Sequence, residues 1–307
     1  MTSVTVAVVS WNCARLLEKC LDAVRQEAAR YPALDVDLVV VDNASSDDSP
    51  SIVRSKFPKV DLIENSENVG FAEANNQAFR RSRAKYVMML NPDTEVQPGA
   101  ISELVRFMES HSEAGAAGSM LISPNGEIQQ AASPTLSPAR ELWRLLHLDK
   151  LYPLAVYPLE KWDHSTPHQV GAVQGASMLI SRTAFERVGG LDPAFFMYTE
   201  EVDLCYRLRR AGRPVYWVPS SRVIHYGGQS TKLVASQMFL ELYRSKIRFV
   251  RKHYGFASVI LYKLILALTS VPRVAYGFFE HLLHTDRKEG SSLAASYLQL
   301  LADLPRF

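Results

Sequence analysis

Residues 4–42, "VTVAVVSWNCARLLEKCLDAVRQEAARYPALDVDLVVVD", decide the fold class. The stretch opens with an apolar run at 4–11, continues with apolar residues at helical spacing at 14–31, and ends with a second apolar run at 36–42. A strand, helix and strand in this order form a right-handed crossover between parallel strands. The stretch therefore predicts an α/β protein.

The same alternation continues to residue 90. A short helix is predicted at 49–57, a strand at 60–65, a helix at 71–83 and a strand at 86–90. We therefore predict a mostly parallel central sheet flanked by helices. In open sheets of this kind, ligands bind beyond the carboxyl ends of the strands.

Composition excludes several classes of protein. The chain has 307 residues, of which 47% are apolar and 21% charged, so it has the composition of a globular protein and not of a disordered one. The net charge of +2 gives no indication of nucleic-acid binding. Three scattered cysteines favour a reducing cytosol over a disulfide framework. The N-terminus has no basic residue before Arg15, so it predicts a first strand and not a signal peptide.

Polar residues follow each predicted strand of the first hundred residues. They are Ser10 and Asn12, Asp42 and Asn43, the stretch 64–68, and the stretch 91–95. Each stretch alone is explained by the polar turns that end strands, whereas together they predict a binding site at one sheet edge. Neither G-x-G-x-x-G nor G-x-x-x-x-G-K-[ST] occurs, so any nucleotide is held in another way.

The segment "NPDTE" at 91–95 has two interpretations. Its residue types favour a turn for local backbone reasons, and Asp93 also has the chemistry of a metal carboxylate at a strand end. Both interpretations stay open on the residues alone.

The second half of the chain begins with an excursion. Residues 133–168 show weak periodicity and could shape a specificity pocket, and "QVGAVQGASMLISR" at 169–182 is strand-like. Its glycines, Gly175 among them, allow a backbone to approach a ligand. His225 is expected where a strand meets a loop, and it could be a structural histidine or a metal ligand.

Residues 200–212 predict a helix with an acidic first turn. Its acidic residues, Glu200, Glu201 and Asp203, could stabilise the helix end or face a cleft. Asp203 and Arg207 have the spacing of a helix-surface ion pair.

The ordered set of motifs resembles glycosyltransferase family 2, in particular its rhamnosyltransferase-like branch. The matching pieces are "VAVVSWN", "VVVDNASSDDS", "NVGFAEANNQA", "MLNPDTEV", "GASMLISRTAFERVGGLDPAFFMYTEEVDLCYRLRRAG" and "VIHYGGQST", within residues 4–232. The resemblance implies the GT-A fold, in agreement with the predicted α/β pattern.

The resemblance also implies donor-binding residues. Asp42, with Ser10 and Asn12 beside it, is expected to bind the nucleotide base through a carboxylate that accepts from an imide N–H. The nucleotide and sugar are expected to contact Asn68, Gly70, Asn75, Asn91 and Gly175.

By the same resemblance, Asn91-Pro92-Asp93 corresponds to the DXD motif, so Asp93 is expected to bind Mg²⁺ or Mn²⁺ with the donor diphosphate. Asn91 stands where the first aspartate of the motif would be, and His225 is expected to complete the metal site. Glu201 corresponds to the catalytic base, usually an aspartate. A glutamate is ionised near neutral pH and can accept a proton from an acceptor hydroxyl.

The implied function is an inverting, metal-assisted transfer of a sugar to a hydroxyl of a glycan or lipid-linked acceptor in cell-surface polysaccharide synthesis. Rhamnose on dTDP is the first expectation for the donor, followed by UDP-linked sugars. A sugar-1-phosphate nucleotidyltransferase and a sugar-nucleotide-binding scaffold without activity are the alternatives.

The last part of the chain differs in character. We predict a catalytic domain at 1–231 and a C-terminal helical extension at 232–307. Residues 232–254 hold six basic residues and one acidic residue, a pattern typical of either a solvated face or a helix lying on an anionic membrane. The apolar stretch after 255 is interrupted by Lys263, Pro272 and Arg273, which predicts packing or peripheral attachment and not a spanning helix. We expect a cytoplasmic enzyme, with the inner face of the membrane as one location.

Overall fold

The computed structural model describes residues 1–227, 235–283 and 288–307, and within these ranges the side chains of all residues except 277–293. The helices and strands, in chain order, are β1 (Thr2–Ser10), α1 (Ala14–Arg30), β2 (Leu34–Asp42), α2 (Ser49–Lys56), β3 (Asp61–Glu64), α3 (Phe71–Arg81), β4 (Tyr86–Leu90), β5 (Thr94–Val96), α4 (Ala100–Ser110), β6 (Ala116–Ile122), β7 (Ala132–Ser133), α5 (Pro138–Leu145), β8 (His168–Val170), β9 (Ala172–Val173), β10 (Ser177–Ser181), α6 (Arg182–Arg187), α7 (Glu200–Arg210), β11 (Val215–His225), α8 (Ala235–Leu283) and α9 (Lys288–Asp303).

One mixed sheet forms the centre of the fold, with the strand order β3-β2-β1-β4-β10-β6-β11-β5 and with β8 beside β11. The strands β3, β2, β1 and β4 are all parallel, as the sequence predicted, and β11 is parallel to β6. Strand β10 runs antiparallel to both of its neighbours, β4 and β6. The prediction of a mostly parallel sheet flanked by helices is confirmed.

Element boundaries match the sequence pattern best in the buried strands. Strand β4 has the predicted bounds and is buried along its whole length. The stretch 169–182 is divided among three short strands. A Cβ at Gly171 would lie 2.3 Å from the backbone nitrogen of Thr135, so the chain there passes directly against another backbone segment.

The described chain divides into two compact units. Unit 1 comprises 1–135, 157–196 and 200–233, and unit 2 comprises 136–156, 197–199 and 234–307. Each unit has a hydrophobic core of its own. The domain boundary at 231/232 stays a prediction, and Lys232 and the end of the "VIHYGGQST" motif lie outside the described residues.

In unit 2, α8 is divided at Gly255, where φ is 81° and ψ is 178°. Within the described residues, one helix, Ala235–Tyr276, is long and apolar enough to cross a membrane on length and composition alone. A third (33%) of its most apolar window is buried inside the protein. A core helix passes the same test of length and composition, so the test alone does not distinguish a membrane-spanning helix from a core helix.

A buried carboxylate fixes the start of α4 in unit 1. The helix begins after Gly99, whose φ is 91°, and Gly99 has no side chain to cap it. Glu27 of α1 supplies the cap, because its Oε2 accepts from the Gly99 N–H at 2.9 Å and its Oε1 from the Ile101 N–H at 3.2 Å. A carboxylate at a helix N-terminus also interacts favourably with the helix dipole.

We expect the change Glu27→Ala to lower the free energy of unfolding by about 2–3 kcal/mol, since it leaves two buried N–H groups without a charged acceptor. Thermal and urea unfolding would measure the change. The control is Gln26→Ala at the neighbouring exposed position, which we expect to stay within about 0.5 kcal/mol of wild type. Equal stability of the two variants would contradict the capping role of Glu27.

Candidate active site

The sheet brings the predicted site residues to one edge of unit 1. Ser10 and Asp42 are register partners at the ends of β1 and β2. Strand β4 ends beside them at Leu90, whose register partner in β10 is Ser177. Asn91 then donates its backbone N–H to the Ala176 carbonyl at 3.0 Å. Because β10 is antiparallel, its beginning lies at the edge where β1, β2 and β4 end.

Asp42 is nearly fully buried and has one carboxylate oxygen without a partner. Its Oδ2 accepts from the Ser45 N–H at 2.9 Å, whereas its Oδ1 is buried and has no hydrogen-bond partner in the described structure. Asn12 joins the loops after β1 and β2, because its Oδ1 accepts from the Ser46 N–H at 2.7 Å. Asp42 is thus held by one oxygen and offers the other as an acceptor.

Asn43 organises the loop between β3 and α3. Its Nδ2 donates to the Asn68 Oδ1 at 2.8 Å, and its Oδ1 accepts from the Val69 N–H at 3.2 Å. Asn68 Oδ1 also accepts from the Gly70 N–H at 3.0 Å. Asn43 therefore positions Asn68 and Gly70, the two predicted donor-binding residues, whereas the sequence analysis named Asn43 only as a polar residue after a strand.

Gly70 begins α3 in a conformation that favours glycine, with φ of 85°. A Cβ at this position would lie 2.6 Å from the backbone oxygen of Phe196, which accepts from the Phe71 N–H at 2.7 Å. One turn into α3, Asn75 donates its Nδ2 to the Phe71 carbonyl at 2.9 Å. Its Oδ1 is buried and has no hydrogen-bond partner in the part of the chain that the structure describes.

Asp93 and His225 lie together where β5 and β11 pair. His225 is the register partner of Thr94, and its Nε2 lies 3.4 Å from the Asp93 Oδ1 without a hydrogen bond. The segment turns at residues 91–93, where the Thr94 hydroxyl donates to the Asn91 carbonyl at 2.7 Å, and Thr94 and Glu95 already belong to β5. Turn and acidic site coincide at this strand end.

Gln129 holds His225 by two hydrogen bonds and was missed by the sequence analysis. Its Nε2 donates to the His225 carbonyl at 2.8 Å, and its Oε1 lies 2.8 Å from the His225 Nδ1. An amide oxygen can only accept, so Nδ1 carries a proton, and in the tautomer of the neutral ring that this contact selects, Nε2, the nitrogen that faces Asp93, keeps its lone pair. The two residues are 96 positions apart, and no local pattern marks Gln129.

Glu200 and Glu201 start α7 in different surroundings. A Cβ at Gly175 would lie 3.7 Å from the Glu201 Cβ, which places Glu201 at the same sheet edge as the other site residues. Glu200 is only 4% exposed. Burial, and then the neighbouring charge of Glu201, raise the pKa of Glu200 well above its usual value. Glu200 is thereby favoured as the neutral acid.

Backbone strain is concentrated near these residues. Five non-glycine residues of the described chain have positive φ, and four of them adjoin site residues: Asn12, Ala44, Tyr198 and Thr199. Each such conformation costs of order 1 kcal/mol or more and persists only where the surroundings impose it. Tyr198 and Thr199 directly precede Glu200 and Glu201, so the chain enters α7 in a constrained conformation.

The described residues contain no group of three or more His, Cys, Asp and Glu side chains that could hold a metal ion by themselves. Asp93 and His225 are the pair nearest to such a site. One carboxylate oxygen and one imidazole nitrogen can hold Mg²⁺ or Mn²⁺ only when a ligand such as a diphosphate supplies further oxygens.

A family profile and two curated sequences that are similar to this chain all belong to glycosyltransferases. The profile of "Glycosyl transferase family 2" matches residues 5–189. The chain is 30% identical over 211 residues to the N-acetylglucosaminyl-diphospho-decaprenol L-rhamnosyltransferase of Mycobacterium tuberculosis, covering 64% of this chain and 68% of the relative. It is 25% identical over 194 residues to the rhamnosyltransferase WbbL of Escherichia coli, covering 60% of this chain and 70% of the relative.

Solved structures share the fold at low sequence identity. A mannosyltransferase of Pyrobaculum calidifontis, solved with GDP-Man and Mn²⁺, matches with a TM-score of 0.55 and 18% identity, over 98% of this chain and 87% of that one. GalNAc-T7, solved with UDP, GalNAc and Mn²⁺, matches with a TM-score of 0.55 and 17% identity, over 73% of this chain and 44% of that one. The expected GT-A fold is confirmed.

A buried ion pair joins α7, the helix that begins with Glu200 and Glu201, to a neighbouring segment. The Asp203 Oδ2 accepts from the Arg207 Nε at 2.7 Å, so the pair that the helical spacing predicted is present. Its expected position on the helix surface is wrong, because Asp203 is fully buried. Arg207 also donates to the carbonyls of Val188 and Gly190 at 2.6 and 2.7 Å. The guanidinium therefore joins α7 to the segment after α6.

We expect Arg207→Leu to lower the free energy of unfolding by about 3–5 kcal/mol, because it leaves the Asp203 carboxylate buried without its charge partner. Chemical denaturation would measure the loss. Arg210→Leu, at an exposed position of the same helix, is the matched control and should change stability by no more than about 0.5 kcal/mol. A loss of similar size in both variants would show that the pair is not the cause.

Proposed function

The chain belongs to glycosyltransferase family 2 and is a glycosyltransferase, and from that premise we propose that it moves a sugar from a nucleoside-diphosphate donor to a hydroxyl of a lipid-linked glycan acceptor, with inversion at the anomeric carbon. Family membership sets the nucleotidyltransferase alternative aside. A binding protein without turnover is left as an outcome of the experiment below.

Unpartnered buried acceptors carry this proposal. Buried polar atoms in proteins nearly always have a hydrogen-bond partner. Asp42 Oδ1, Asn75 Oδ1 and His225 Nε2 are buried and have none among the described residues. All three belong to residues that the sequence assigned to the donor and metal site. A nucleotide base with an imide N–H suits the Asp42 carboxylate, and hydroxyl or amide donors suit Asn75.

The residues present fit a divalent metal. Asp93 Oδ1 and His225 Nε2 face one another at 3.4 Å, and Gln129 leaves the lone pair of Nε2 on that side. We propose that these two side chains hold Mg²⁺ or Mn²⁺ together with the donor diphosphate. When bound, the ion neutralises charge that develops on the leaving diphosphate. Asn91 adds no charge, so Asp93 is the single carboxylate of this proposed centre.

Glu201 is the proposed catalytic base. Its carboxylate accepts the proton of the acceptor hydroxyl as that oxygen attacks the anomeric carbon, and the bond from that carbon to the diphosphate breaks in the same displacement. A single displacement needs no covalent nucleophile and leaves the configuration inverted. The buried Glu200 keeps a second negative charge out of the site, because burial favours its neutral form.

The relatives guide the choice of substrates. The printed name of the mycobacterial relative specifies L-rhamnose and an N-acetylglucosaminyl-diphospho-decaprenol acceptor. We propose a dTDP- or UDP-linked donor with rhamnose as the first sugar to test, a polyprenyl-diphosphate-linked acceptor, and a cytoplasmic location at the inner face of the membrane.

We expect Glu201→Gln to reduce transfer by about 100-fold or more while donor binding persists, because the amide cannot accept the proton. The measurements are sugar transfer from dTDP- and UDP-linked sugars to a short-chain lipid acceptor, and dTDP binding by calorimetry with and without Mn²⁺. Glu200→Gln is the matched control, since an amide replaces the neutral acid without adding charge.

Most of the activity should survive in the Glu200→Gln protein. Unchanged turnover in Glu201→Gln would refute the assignment of the base. Metal-dependent nucleotide binding without turnover of any sugar nucleotide by the wild type would favour a binding protein and overturn the proposed transfer.

Gln129→Leu should weaken Mn²⁺ binding in the presence of dTDP by about 10–100-fold, since the imidazole loses the partner that fixes its orientation and tautomer. Mn²⁺ titration followed by electron paramagnetic resonance measures this without turnover. Gln130→Leu is the control, because the Gln130 side chain donates instead to the carbonyls of Ala132 and Tyr157. Equal Mn²⁺ affinity in Gln129→Leu and wild type would rule out the positioning role.

A further inference from the structure

The second segment of α8 exposes an apolar face. All ten exposed residues between 256 and 276 are apolar: Phe256, Ala257, Ile260, Leu261, Leu264, Leu268, Val271, Pro272, Ala275 and Tyr276. Phe256 is 72% exposed and Leu268 is 74% exposed. Their spacing of three and four residues places most of them in one stripe of the helix. We call these ten residues the apolar face.

The opposite side of the same segment already has a partner. Val259, Tyr262, Ile265 and Leu266 belong to the core of unit 2. A helix that is apolar on all sides is stable in water only when all sides are covered. No residue that the structure describes covers the apolar face, and contiguous exposed patches of this kind mark contact with a protein or a membrane.

The first segment of α8 exposes a basic stripe. Between residues 243 and 253, every exposed residue is basic: Arg244, Arg248, Arg251 and Lys252. No acidic residue occurs from 242 to 276. Burial and then the charge of Arg251 lower the pKa of Lys263 on the second segment. Basic residues of the two segments therefore lie close enough to repel one another.

We propose that the apolar face and the basic stripe together form a docking surface for an anionic lipid bilayer. The apolar side chains enter the boundary between headgroups and acyl chains, and the arginines and Lys252 contact lipid phosphates. This inference deepens the proposed function, on which it rests for the lipid-linked acceptor. The second segment lies in the plane of the interface, because its other side packs in the core of unit 2.

Charge decides between a bilayer and a second copy of the chain as the occupant. Two copies joined through the apolar face would bring two basic stripes near one another. Glu241 pairs with Arg244 at 2.9 Å and offsets part of this charge, whereas Arg248, Arg251 and Lys252 leave a net repulsion. An anionic lipid surface supplies the opposite charge. The bilayer therefore satisfies both the apolar and the charged part of the surface.

Flotation of the full chain with lipid vesicles tests the proposal. We expect wild type to bind vesicles of phosphatidylcholine with phosphatidylglycerol far better than vesicles of phosphatidylcholine alone, and added salt to weaken the charged contribution. Leu264→Glu with Leu268→Glu should reduce partition by about 100-fold or more, since two apolar side chains no longer enter the bilayer. Both positions are exposed, so the substitutions leave the core intact.

The charge-matched control is Ala29→Glu with Ser55→Glu, at exposed positions of α1 and α2 in unit 1, which should bind vesicles as wild type does. Three results would overturn the proposal. They are equal binding of the two double variants, equal binding of wild type to neutral and anionic vesicles, and a wild-type dimer that becomes monomeric with Leu264→Glu and Leu268→Glu. Flotation needs no donor, and transfer to a short-chain acceptor needs no vesicle. The docking surface and the proposed activity can therefore fail independently.

A second measurement locates the contact. The three native cysteines are buried, so an environment-sensitive fluorophore will label an introduced cysteine selectively. The label on Leu264→Cys should shift to the blue with anionic vesicles, whereas the label on Ser55→Cys should not. A shift at both positions or at neither would contradict the assigned surface.

Discussion

The parallel pairing of β1 with both β2 and β4 is the constraint on which the site depends. Hydrogen bonding on both sides, together with helices on the sheet faces, buries almost every side chain of β1 and explains its run of valine and alanine. The register of this pairing places Ser10 beside Asp42. A slip of one residue would move every side chain of the strand to the opposite face of the sheet. The polar loops lie at one edge of the sheet because the parallel strands that precede them end at the same edge.

Polar residues at that edge do two kinds of work. The Asn43 amide hydrogen-bonds to Asn68 and to the Val69 backbone, and the Gln129 amide hydrogen-bonds to His225. Both amides therefore position other residues of the site. Asp42 and Asn75 each keep one buried oxygen without a described partner. Groups with satisfied hydrogen bonds hold the loops in place. An unsatisfied buried oxygen has a desolvation cost that a hydrogen-bond donor would remove.

Sequence reasoning succeeded where the pattern is local. Strand β4 and the acidic start of α7 follow from hydrophobic runs and charge placement, and so does the Asp203 to Arg207 pair. It failed where distant segments meet. The hydrogen bonds from Gln129 to His225 need the pairing of strands that are far apart in the chain. The stretch 169–182 is divided because its three strands have different partners: β8 pairs with β11, β9 with β7, and β10 with β4 and β6. Neither leaves a periodic signal in the residues concerned.

The glutamate pair of α7 shows how one helix start assigns two roles. Consecutive helical residues point about 100° apart, so the two side chains leave the helix in different directions. Glu200 turns into the protein and is favoured as the neutral acid, because a charge there would be both desolvated and next to another carboxylate. Glu201 lies beside Gly175 at the sheet edge. Burial and the neighbouring carboxylate thus give Glu200 a chemistry of its own, and the sequence could indicate the pair but not which member is the buried acid.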